Sequence, residues 1–170
     1  PVGAFEQDAE LRYTALQTGE ATEMVSLGQV SSNFFQTLGP PVTPGRDFLP
    51  EEDSTAGSAS VVILGHALWR TRFGASPDVL GRIITLGGSP FQVIGVAPRG
   101  FDAPIRGVLY DAWAPISAEP IFEPGSDDLT SRGSRSFELY GRLAPGATLP
   151  AVSHAASQIA ADLFRDYPRN

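Results

Sequence analysis

Residues 82–98, RIITLGGSPFQVIGVAP, constrain the fold more tightly than any other stretch of the chain. Two apolar runs with a period of two, 82–86 and 91–96, flank Gly87-Gly88-Ser89-Pro90. Alternation on both sides of a glycine pair predicts a β-hairpin, because residues free to take positive φ let a chain turn back on itself tightly. The chain therefore contains antiparallel sheet, and the other segments are read by how they could join it.

ASVVILG, residues 59–65, is a β-branched run of the kind buried on both faces of a sheet. It leads into HALWRTRFG, a predicted helix with Leu68, Trp69 and Phe73 on its buried side and Arg70 and Arg72 toward solvent near its negative end. An earlier strand–helix unit is EMVSLGQV followed by SSNFFQTLG. Its strand sets Met24, Ser26, Gly28 and Val30 opposite Val25, Leu27 and Gln29. Ser31 or Ser32 is expected to cap the helix, Phe34, Phe35 and Leu38 to form its apolar face, and Gly39 to end it in the left-handed conformation.

Weaker signals complete the pass. Glu10–Leu16 alternates as a strand with Leu11, Tyr13 and Ala15 on one face, and prolines 40, 41 and 44 lead to an exposed Ser/Gly/Ala loop at 54–60. VLYDAWAPI and RSFELYGRL read as strands, separated by a polar loop, 118–134, expected to be mobile. From Thr148 a helix carries Leu149, Val152, Ala156, Ile159 and Leu163 as one stripe that should pack on a sheet. This order predicts an α+β fold: a mixed β-sheet with helices packed mainly on one face.

The 170 residues suit one domain, or one domain in two lobes. A net charge of −7 speaks against nucleic-acid binding, which needs a cationic surface to displace counterions from phosphates. The cationic side chains are all arginine, a bias of composition from which no function follows. Without cysteine there is no disulfide framework, zinc–thiolate site or cysteine nucleophile. No run of about 18 apolar residues is present to span a membrane as a helix. A chain that starts at Pro1 and ends on Asp166-Tyr167-Pro168-Arg169-Asn170 reads as part of something longer.

Chemical constellations are sparse. Glu51-Glu52-Asp53 lacks the alternation of a calcium loop and is better read as a solvated turn or the first turn of a short helix, and Asp127-Asp128 is read the same way. His66, at a strand–helix junction, is expected to cap or pack, and His154 lies beside the apolar stripe of the last helix. No serine stands in GxSxG, and neither GxxxxGK[ST] nor GxGxxG occurs. Trp69, Trp113 and the phenylalanines are expected in the core.

Taken in order, VSSNFFQTLG, GRDFLPEED, SVVILGHALWRTRFG, VLGRIITLGGSPFQVIGVAPRGF, DAWAPIS and LYGRLAPGATL resemble the MacB-like periplasmic core domain over roughly residues 24–165. The lysine-free version with Ala-Leu-Trp and Pro-Arg-Gly-Phe looks most like the predicted permeases of acidobacteria. The resemblance implies a domain inserted between the first two membrane helices of an ABC-type permease, standing on the periplasmic side of the cytoplasmic membrane. It implies a porter-like lobe, residues 1–49 with 136–170, and an inserted lobe, 50–135. The start of the chain lies too close to the Leu11 strand to hold much of the family's first strand.

The implied role is non-catalytic: to transmit conformational change driven by ATP on the cytoplasmic side and to dock a substrate or partner. Implied partners are the rest of the permease chain, an ATPase subunit or domain, and a periplasmic adaptor or outer-membrane channel. The excised piece is expected to be a monomer. No catalytic, cofactor-binding or metal-binding residue is carried over. The rival reading is a substrate-binding module that captures a peptide, lipid or antibiotic between its lobes. It requires a deep apolar cleft with convergent polar groups. An enzyme acting on envelope material would need His66 or His154 to face an acid in such a cleft.

Overall fold

The hairpin forms, with a tighter turn than the sequence suggested. In the computed structural model, which describes residues 2–6, 13–19, 21–39, 41–58, 60–101, 109–131 and 136–168, strand β5 (Ile83–Leu86) pairs antiparallel with β6 (Ser89–Val96). Only Gly87 and Gly88 lie between them, with φ of 57° and 83°. Ser89 and Pro90 belong to the strand, opposite Leu86 and Thr85. Two consecutive positive φ values give the turn whose twist matches that of the flanking strands.

Six further strands are β1 (Val2–Glu6), β2 (Tyr13–Thr18), β3 (Ala21–Val30), β4 (Val61–Leu64), β7 (Ala112–Pro115) and β8 (Phe137–Gly141). The helices are α1 (Phe34–Leu38), α2 (His66–Arg72), α3 (Glu119–Phe122) and α4 (Leu149–Asp166). With a mixed sheet and four helices the class is α+β, as the sequence predicts. The weak strand at Glu10–Leu16 is displaced: it starts at Tyr13, Leu11 lies outside the described residues, and its buried side is Thr14 and Leu16. Residues 2–6 do form a first strand, which the sequence pattern did not reveal.

Strand pairing closes on itself. The order β2-β5-β6-β4-β7-β3 returns to β2 through a β2–β3 pairing, so six strands form a ring. The β3–β7 and β4–β6 pairs are parallel and the other four antiparallel. At the far end of β3, Val30 pairs with Phe5 of β1, and β1 pairs along its length with β8, adding a two-stranded wing.

Side chains alternate between two apolar clusters because successive residues of a strand point to opposite faces. Leu16, Val25, Leu27, Val62, Leu64, Ile84, Leu86, Phe91, Val93, Ala112 and Ala114 come from every strand of the ring and converge on its interior. Leu68 of α2 and Phe73 at its C-cap pack with them, as do the partly buried Ile121 and Phe122 of α3. The intervening residues Val30, Val61, Ile63, Ile94 and Trp113 form the second cluster with Phe34 and Phe35 of α1, Val42 and Phe48.

Three local expectations change. Asn33, rather than Ser31 or Ser32, holds the N-cap position of α1 and makes no side-chain cap bond; Ser31 Oγ donates to Asn33 Oδ1 and the Ser32 N–H to Asp53. Gly39 ends α1 in an extended conformation, φ −123°, and its lack of a side chain serves a close approach: a Cβ there would lie 2.6 Å from the Phe101 ring. The polar stretch 118–134 is no open loop at its start, where Ile116–Ala118 form a 3₁₀ turn continuous with α3 and Phe122 stacks on Phe91 at 5.4 Å. Residues 132–135 of that stretch lie outside the described residues.

Candidate functional site

The acidic triplet forms a 3₁₀ turn, Pro50–Asp53, in keeping with the short-helix reading. Glu51 is exposed, while its two neighbours are occupied in holding the fold. Arg46 grips Glu52 with both guanidinium ends, Nη2 to Oε1 at 2.7 Å and Nη1 to Oε2 at 2.8 Å. This bond holds the Glu52 carboxyl below its ordinary range. Asp53 accepts the Ser32 N–H at 2.9 Å through one oxygen and the Ser117 N–H at 3.1 Å through the other, fastening the β3–α1 junction to the turn after β7.

His66 opens α2 with its ring edge-on to Trp69 at 5.5 Å, an aromatic partner rather than a carboxylate. His154 is exposed on α4. Trp69 is half-buried and donates its indole N–H to Ser76 O at 2.9 Å. Trp113 is buried against Phe35, Phe101 and Tyr110. Both tryptophans are therefore core residues, as expected.

Two open surface cavities flank these elements. One, about 440 Å³, is lined by Phe35, Gln36, Gly39, Pro41, Val42 and Asp47, and burial pushes the Asp47 carboxyl up. The other, about 480 Å³, is lined by His66, Ala67, Arg70, Thr71, Arg99 and Gly100.

The most unusual surface lies on the wing. Thr148 caps α4, its Oγ1 accepting the Ala151 N–H, and the stripe predicted from the sequence is present on an 18-residue helix. The expectation that it packs on a sheet is not met: α4 contains no buried residue. Leu149 is 72% exposed, Val152 46%, Ile159 61% and Leu163 51%, with Phe164 at 68% and Leu139 of β8 at 74%. Periodicity shows that a helix has an apolar face, but not which surface covers it. The segment leading to this helix is nonetheless anchored. β8 pairs with β1, Arg142 Nε donates to Thr37 O at 3.1 Å, and Tyr140 donates its hydroxyl to Glu138. Burial first, then that bond, push the Tyr140 hydroxyl up to about 12.

Sequence reasoning missed two polar links. Besides Asp53, Asp111 Oδ2 accepts from both the N–H and the Oγ of Ser26, at 2.9 and 3.0 Å, locking the entrance of β7 to the middle of β3. Both acids stand in segments singled out from the sequence, GRDFLPEED and DAWAPIS, but nothing within either segment shows these bonds. Their partners lie 21 to 85 residues away along the chain, which single-sequence spacing cannot reveal.

Comparison with known proteins gives a consistent picture. The family model described as "MacB-like periplasmic core domain" matches residues 3–159. The macrolide export ATP-binding/permease protein MacB of Hahella chejuensis is 34% identical over 94 residues, 55% of this chain and 14% of that protein. MacB of Escherichia coli K12 is 32% identical over 114 residues, 67% of this chain and 16% of that protein. This chain thus spans about a sixth of the relatives' length or less. Among solved structures, the periplasmic region of MacB from Actinobacillus actinomycetemcomitans superposes with a TM-score of 0.69 at 17% identity, covering 95% of this chain and 66% of that one. The extracellular domain of the noncanonic ABC-type transporter YknZ from Gram-positive bacteria gives 0.67 at 18%, covering 99% and 76%. No helix among the described residues is long and apolar enough to cross a membrane. The chain belongs to the MacB-like periplasmic core domain family, extracytoplasmic domains of ABC-type transporter permeases.

Proposed function

We propose that this domain is a non-catalytic transmission and docking element of an ABC-type export permease, and that the apolar stripe of α4 is the surface through which it couples to the rest of that machine. The observation that carries the reading is the solvent exposure of Leu149, Val152, Ile159 and Leu163 on a helix tied to the body through β8. Exposed apolar patches of this kind mark interaction sites, because they lose apolar area to water only when covered. In this reading the porter-like lobe, 1–49 with 136–170, carries the coupling surface, and 50–135 forms the inserted lobe. The partners are the membrane helices of the permease and its ATPase subunit or domain, and beyond them an adaptor or outer-membrane channel. The free domain is monomeric, its net charge of −7 opposing self-association.

The test is a triple substitution, Val152→Ser, Ile159→Ser and Leu163→Ser, in the intact permease. Because these side chains are exposed, the isolated domain should melt within about 2 °C of the parent. ATP-driven export should fall at least about tenfold. Unchanged export in a folded triple variant would overturn the proposal.

A second reading, ligand capture, draws on the cavity of about 440 Å³ whose lining joins Phe35, Pro41 and Val42 to the carboxylate of Asp47. Titrating a macrolide or an amphipathic peptide into the domain, with tryptophan fluorescence as readout, separates the two readings.

A further inference from the structure

Glu119 is buried to 0% exposure, and neither of its carboxylate oxygens has a hydrogen-bond partner. It stands at the first position of α3, on the turn that leaves β7. A dry, unpaired carboxylate is among the costliest groups a fold can carry, and such groups are normally neutralised, ion-paired or bound to a metal. Two more carboxylates surround it. Oxygen atoms of Glu119, Glu123 and Asp128 all lie within 4.8 Å of one another, with Glu123 exposed and Asp128 half-buried.

Local structure assembles the three. One helical turn brings Glu123 over Glu119, its N–H donating to Glu119 O at 2.8 Å. The chain then doubles back, with Ser126 N–H bonded to Glu123 O at 3.1 Å and Asp128 N–H to Ser126 Oγ at 3.2 Å.

We propose that Glu119, Glu123 and Asp128 form a binding site for a divalent cation of the calcium class. Oxygens bound to one calcium ion at about 2.3–2.6 Å sit no more than about 5 Å apart, so this triad can share one ion. Calcium's irregular shell accommodates ligands from a buried helix start, an exposed helix end and a loop, with water completing the shell on the open side. Having only three carboxylates and one open side, the site should bind weakly, with a Kd of about 0.1–1 mM, the range of extracellular calcium modules.

The ion would join two parts of the molecule. α3 is packed against the ring interior through Ile121 and Phe122, while Asp128 also accepts the Ser136 hydroxyl at 2.9 Å, next to the first residue of β8. Cation binding would therefore stiffen the link between the ring and the strand that leads to α4. Binding itself does not depend on the transmission reading.

The test is thermal melting of this chain in calcium against EDTA at matched ionic strength, in the parent, Glu119→Gln and Glu123→Gln. Five millimolar calcium should raise the parent's Tm by about 3–8 °C, as expected for a ligand several-fold above its Kd on a chain of this size. Both variants should lose that shift, and Glu119→Gln should melt higher than the parent in EDTA, because it removes the buried carboxyl group that has no hydrogen-bond partner. Should Glu119→Gln misfold, the exposed Glu123→Gln still decides the matter. A parent whose Tm ignores calcium, magnesium and manganese would overturn the site. So would a full calcium shift in Glu123→Gln.

Discussion

Asp53→Ala removes a single half-buried carboxylate and with it the link between the β3–α1 junction and the turn after β7. The loss is that of two bonds to a charged acceptor, from the Ser32 N–H at 2.9 Å and the Ser117 N–H at 3.1 Å. A hydrogen bond to a charged group contributes about 1.5–3 kcal/mol when its donor would otherwise be unpaired, but water can replace part of it at a half-buried site. About 2–4 kcal/mol for the pair is therefore expected. For a chain of this length each kcal/mol moves Tm by about 2–4 °C, so Asp53→Ala should melt roughly 4–15 °C below the parent. Asp53→Asn keeps one acceptor oxygen and loses the charge, and should fall between the two. Differential scanning calorimetry at pH 7 is the direct assay. Amide exchange would add position, since the Ser32 and Ser117 N–H groups should lose protection while the interior of the ring keeps it. An Asp53→Ala protein that melts within 1 °C of the parent would refute the bridging role. A drop shared equally by Asp53→Asn and Asp53→Ala would show that charge, and not the two-point bond, carries the effect.

Two further outcomes follow from other sites. Gly39→Ala sets a Cβ 2.6 Å from the Phe101 ring and should cost about 1–3 kcal/mol in urea denaturation as the ring shifts. Glu52, whose carboxyl is held down mainly by its bond to Arg46, contributes stability that is present above its unfolded pKa and lost as pH falls through its lower folded value. Glu52→Gln should therefore weaken the domain at pH 7 and converge with the parent as the pH falls below that folded value. Asp47, pushed up by burial, has the opposite sign. Asp47→Asn keeps an acceptor oxygen for the Phe48 N–H and should be neutral or stabilising at pH 7. Urea melts of both acids at several pH values check this pair together.

Much of this was legible in the chain where the signal was local. The 82–96 hairpin, the buried β4 run, Leu68 of α2 with Phe73 at its C-cap and the Thr148 cap all announce themselves within a few residues, because period and capping are short-range physics. Ring closure was not legible. It rests on β2 meeting β5 and β3 meeting β7, pairings between residues some 70 to 85 positions apart that leave no mark on either segment alone. Glu119 was hidden for a related reason. AEPIFEPGSDD is polar in composition, yet Phe122 is drawn onto Phe91 and carries the preceding turn of helix, with its carboxylate, into the interior. The missing cover on α4 is the reverse case, a clear pattern whose complement lies on no described surface.

A ring of strands has no margins. Every strand from β2 to β7 has neighbours on both sides, so the main-chain N–H and C=O groups of the ring offer no template for another chain to zip against. Among the described residues the sheet runs out in the wing, at the outer edge of β8 and along β1, which meets β3 only at the Phe5–Val30 pair. A strand added to this sheet, by a partner or by misassembly, would lie on the wing, and one along Phe137–Gly141 would sit just before the segment that leads to α4. Sheet growth and helix cover thus meet in the wing, and the ring is spared.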